Sequence, residues 1–153
     1  MRILRVIYVL AIAVALVFLV IAGVQAFYPE PSYPEQRWGY PLPPPDYNST
    51  EYEEWQQEWG EAYEIYEQEA EAHDRNIFFV VLPLGVVFAI GGTFMQRRAG
   101  IFGAGLILGG IGTMILAIVP YDLDNVLRFV GIAAILAVLI FVGYKVFLSF
   151  RGS

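Results

Sequence analysis

The chain has 153 residues, of which 58% are hydrophobic and only 16% charged, with a net charge of −6 and a mean hydropathy of +0.57. Soluble domains have about 45–50% apolar and about 25% charged residues. Here the few charges sit in short stretches between long apolar runs, the pattern of an integral membrane protein. The net acidity argues against nucleic acid as a partner, because phosphate binding needs a basic face. With no cysteine there can be no disulfide, thiolate catalysis or cysteine-ligated metal.

Arg2 and Arg5 precede an uncharged run over residues 6–27. At about 1.5 Å per residue it is long enough to cross about 30 Å of hydrocarbon. A basic start, an apolar core and Val24-Gln25-Ala26 also describe a secretory signal cut after Ala26. The run exceeds the usual signal core of about 7–15 residues, so a retained first span over 1–27 is the expectation.

Residues 28–49 begin YPEPSYPEQRWGYPLPPPDYN. Proline fixes φ and pushes the preceding residue towards extended backbone, which predicts a stiff, polyproline-like connector. Tyr28, Tyr33, Trp38, Tyr40 and Tyr47 are interleaved with the prolines, and such aromatics suit the headgroup layer of a bilayer. Asn48-Ser49-Thr50 matches an N-glycosylation sequon, and Thr50 with Glu53 matches a helix-starting capping box.

Residues 50–76 carry ten carboxylates against one arginine. Tyr52, Trp55, Trp59, Tyr63, Tyr66, Ala70 and His73 recur at steps of three or four, which predicts an aromatic stripe along one face of an acidic helix. Gly60 is a weak point in it, costing up to about 1 kcal/mol relative to alanine. The helix runs directly into an apolar segment, 77–95, where Pro83 is expected to kink the span.

Gln96 to Ala99 then reads as a tight basic hairpin. A glycine-rich span at 101–119 is stopped by Pro120, and Asp124 is placed to cap a last span at 126–148. Arg128 and Lys145 lie near the ends of that span, where long side chains snorkel to the interface. A short tail covers 149–153. The expected fold is therefore all-α, a four-span bundle whose last three helices form one region, 77–148, behind a proline-rich strap and an acidic helix extending into the second span.

Cytoplasmic segments carry the excess of lysine and arginine. Arg2, Arg5, Arg97, Arg98, Lys145 and Arg151 fall in the N-terminus, the middle hairpin and the C-terminus, whereas all fifteen Asp and Glu residues fall in the other two connections. The expectation is a plasma-membrane protein with both termini cytoplasmic and the acidic helix outside.

The middle spans contain small-residue pairs: Gly105 with Gly109, extended by Gly112 and Thr113, and also Ala99 with Gly103 and Gly85 with Ala89. Small residues let helix backbones approach, which serves either packing inside the bundle or docking on another subunit. Runs 6–27, 77–94 and 101–119 contain no Asp, Glu, Lys, Arg or His. Ion-coupled carriers and intramembrane proteases place ionisable groups there, so both are disfavoured. Thr93 and Thr113 are expected to bond back to their own helices.

His73, the one histidine, makes no convincing metal cage with its neighbouring acids and cannot give paired haem ligation. No catalytic set, metal site or cofactor pattern emerges. A row of large aromatics in water marks a contact surface, so Tyr52, Trp55, Trp59, Tyr63 and Tyr66 are the candidate partner-binding residues. The stripe has three possible covers: the chain's own connector, the lipid surface or a partner. The expected function is a non-catalytic accessory subunit or scaffold that holds other membrane subunits, or its own oligomer. The alternative is a small channel-like oligomer whose acidic loops concentrate cations.

Overall fold

The computed structural model describes residues 2–34, 43, 50–96, 98–120 and 123–151. The Asn48 sequon, most of the proline-rich connector and Arg97 lie outside them. The described chain is all-helical, with four helices long and apolar enough to cross a membrane: α1 (Arg2–Phe27), α2 (Thr50–Met95), α3 (Gly100–Ile118) and α4 (Asn125–Arg151).

α2 fuses the acidic helix and the second span into one element of 46 residues, about 70 Å long. It passes through Gly60 and Pro83 without interruption. Thr50 is already its first helical residue, one position inside the cap site expected of it. The turn to α3 is tight, as its sequence predicts, because the Met95 carbonyl accepts from the amides of both Arg98 and Ala99. At the start of α4 the Asp124 carboxylate accepts from the Val126 amide at 3.3 Å, which is the expected cap. Arg128 Nη2 donates to the Pro120 carbonyl at 2.9 Å, tying α4 to the end of α3, and its buried Nε has no partner.

α3 is the central helix, touching α1, α2 and α4. Two opposite faces made of small residues allow this. On one, Gly103 and Gly110 meet Gly85, Ala89 and Gly92 of α2, so closely that a Cβ on Gly110 would lie 2.5 Å from the Ala89 amide nitrogen. On the other, Gly105, Gly109 and Gly112 receive Ile12, Leu16 and Val17 of α1. The Gly105–Gly109 pair is therefore used inside the bundle.

Phe78, Val81, Leu82, Ala89, Met114 and Ala117 form the centre of the core, which Val138 and Val142 of α4 join. Thr113 is fully buried, and its hydroxyl donates to the Gly109 carbonyl at 2.8 Å, just as Thr93 donates to Ala89. Both hydroxyls bond back to their own helices, as expected. The outward surface of the apolar helices carries large side chains such as Phe18, Val87, Phe129 and Ile140, a surface suited to hydrocarbon.

Candidate functional site

The candidate site is the acidic half of α2 together with the start of the connector. The period of 3.6 residues per turn sets the stripe on one side of the helix and Glu54, Glu61, Glu64 and Glu71 on the opposite side. All four glutamates are exposed. Like charges repel along this face, yet each can keep its hydration shell, so the helix bears them at little cost.

The stripe itself is largely covered. Ala62 and Ala70 are buried, and Tyr52, Trp55, Trp59 and Tyr66 are half-buried, while Tyr63 at its edge is 44% exposed. Along the helix, Tyr52 stacks on Trp55 with ring centroids 5.8 Å apart, Trp55 stacks on Trp59 at 5.9 Å, and Tyr63 lies tilted against Tyr66 at 6.1 Å. These are ordinary spacings for favourable aromatic pairs.

The connector supplies part of the cover. Tyr33 stacks on Tyr66 at 4.7 Å and Pro34 is fully buried. Tyr52, Trp55, Trp59, Tyr66, Glu58 and Glu69 all hold further contacts. Of the three covers the sequence allows, the chain's own connector accounts for Tyr66, and Tyr63 is the stripe residue left most open.

His73 is the pin of this arrangement. Its Nε2 donates to the Tyr28 carbonyl at 3.0 Å, joining the end of α1 to the acidic half of α2, and its Nδ1 lies 3.5 Å from an Asp74 carboxylate oxygen. A single imidazole bonded to a distant backbone carbonyl, with one carboxylate beside it, acts here as a structural link between two elements. The link to residue 28 was hidden in the sequence because its acceptor is a backbone carbonyl 45 positions away.

Fold and site together define a helical multi-pass chain with four helices fit to cross a membrane, one of them prolonged into an acidic, aromatic-striped extension. No family model, curated protein or solved structure matches it. What the extension does therefore rests on its own chemistry.

Proposed function

We propose that this protein is a non-catalytic subunit or scaffold of the plasma membrane, with both termini cytoplasmic and the acidic half of α2 outside, holding a partner complex or its own oligomer. The observation that carries this reading is the continuity of α2 from Thr50 to Met95. A helix without a break transmits position, so a partner on residues 50–76 is held in fixed relation to the bundle. The start of the connector covers Tyr66, and the glutamate face is what the helix offers to others.

That face favours a partner with a basic surface. A second copy would bring glutamates against glutamates unless cations bridged them. Charge of this kind steers encounter and fixes register more than it adds affinity. Tyr63, exposed at the edge of the stripe, supplies the aromatic contact such interfaces favour.

The channel-like alternative draws less support. Among the described residues the core between the helices is apolar, with Thr113 the buried polar side chain and its hydroxyl bonded to its own helix. A conducting path would have to form between copies.

The test is charge reversal on the exposed face. A full-length variant carrying Glu54→Lys, Glu61→Lys and Glu64→Lys should insert normally and lose its partner at physiological salt, and the wild-type complex should come apart at about 1 M salt, where the Debye length falls to about 3 Å. A partner retained by the variant would place the contact elsewhere.

A further inference from the structure

An open cavity of about 640 Å³ lies where the connector, the acidic half of α2 and the end of α3 meet. Its volume is within the range of about 300–1,000 Å³ typical of small-molecule sites. Glu30, Tyr33, Tyr66 and Asp74 form its polar wall, and Ile77 and Leu116 belong to its apolar floor. We propose that this cavity binds an organic ammonium ion attached to an apolar body.

Three kinds of feature point to the sign of the ligand. Two carboxylates line the cavity, Asp74 lying 3.5 Å from His73 Nδ1, and among the described residues no lysine or arginine lines it. Glu30 has no hydrogen bond or ion pair among the described residues, so its charge is left for a ligand. Tyr33 and Tyr66, stacked on each other at 4.7 Å, both line the cavity, and aromatic rings attract cations. The last residues of α3, Leu116 and the capping Val119, also line the cavity, and a helix C-terminus carries a partial negative charge.

Among the described residues, Arg128 reaches this rim. It is engaged with the Pro120 carbonyl and is absent from the lining. The floor sets the second half of the specificity. Ile77, Leu116 and Val119 offer nothing to a hydrated metal ion, which would need several oxygen ligands. An ammonium that carries methyl or alkyl groups gains from both walls. His73 also lines the cavity and holds the Tyr28 carbonyl, two residues before Glu30.

The same chemistry occurs in an ethanolamine or choline lipid headgroup and in a free alkylammonium. This proposal stands apart from the partner reading, since it uses the cavity behind the stripe and not the glutamate face.

The full-length protein in a maltoside detergent is titrated with choline and with 3,3-dimethylbutanol, which has carbon in place of the charged nitrogen. Calorimetry should detect choline and miss the neutral analogue. The isosteric double variant Glu30→Gln, Asp74→Asn should weaken choline binding by at least about tenfold, with its thermal unfolding unchanged. Equal binding of the two compounds, or full binding by a variant that melts normally, would overturn the proposal, as would no binding of choline together with no headgroup preference in native mass spectrometry. Selective retention of ethanolamine or choline lipids over glycerol lipids in those spectra identifies the headgroup as the source; choline binding without it identifies the free ion.

Discussion

The two small-residue faces of α3 look alike in sequence and differ in what they meet. Facing α2, a Cβ added to Gly110 would lie 2.5 Å from the Ala89 nitrogen and 2.7 Å from the Gly85 oxygen, and one on Gly103 would lie 2.5 Å from the Gln96 backbone. Facing α1, a Cβ on Gly105 would meet Ile12 Cγ2 at 2.7 Å, and one on Gly112 would meet only Val17 Cγ2 at 3.0 Å. The first interface is mostly backbone on backbone, and the second is mostly side chains seated in a groove, with Ile12 Cβ at 2.8 Å from the Gly105 position and Ala13 Cα at 3.2 Å from the Gly109 position as its fixed atoms. Helices held by close backbone approach cannot give way locally, whereas a side chain can change rotamer.

That contrast grades the substitutions. Gly110→Ala should be the most damaging, about 3 kcal/mol or more, because nothing but a shift of α2 relieves it. Gly105→Ala should cost about 1–2 kcal/mol, and trimming its neighbour with Ile12→Ala should recover part of that loss, a coupling a double-mutant cycle would measure. No trimming on α2 should rescue Gly110→Ala, since the atoms in the way are main-chain. Gly112→Ala should cost under about 1 kcal/mol. Thermal unfolding in detergent, followed by circular dichroism, orders the series; a larger effect at Gly105 than at Gly110 would reverse the comparison.

Smaller effects are expected on the acidic half of α2. Gly60 has open space where a Cβ would go, so Gly60→Ala should stabilise residues around it by up to about 1 kcal/mol, seen as slower amide exchange. His73→Phe keeps the ring but removes the donor to Tyr28. It should raise the exchange of residues near Tyr28 and leave the membrane bundle intact.

The four helices were legible in the sequence because their signals are local: apolar length, Pro120 and Asp124 at a boundary, and basic residues at a hairpin. The stripe was legible for the same reason, as a period of three to four. The cover over Tyr66 was one of three possibilities, and deciding between them depends on where Tyr33 lies, a long-range fact. Gly105 and Gly109 stood out as a motif, yet the tighter contact runs through Gly103 and Gly110, spaced two turns apart and matched to Gly85, Ala89 and Gly92. A spacing marks which residues are small, not which neighbour approaches them. The cavity beside His73 is built from the connector, α2 and α3, so no single stretch announces it.

The central claim is that the continuous acidic helix holds something other than its own chain. The direct measurement is the native mass and composition of the full-length protein extracted in mild detergent. The account predicts an assembly well above the chain's 17.2 kDa, containing a second polypeptide with a basic surface, or further copies of this chain bridged by cations. A lone 17.2 kDa monomer under those conditions would contradict it.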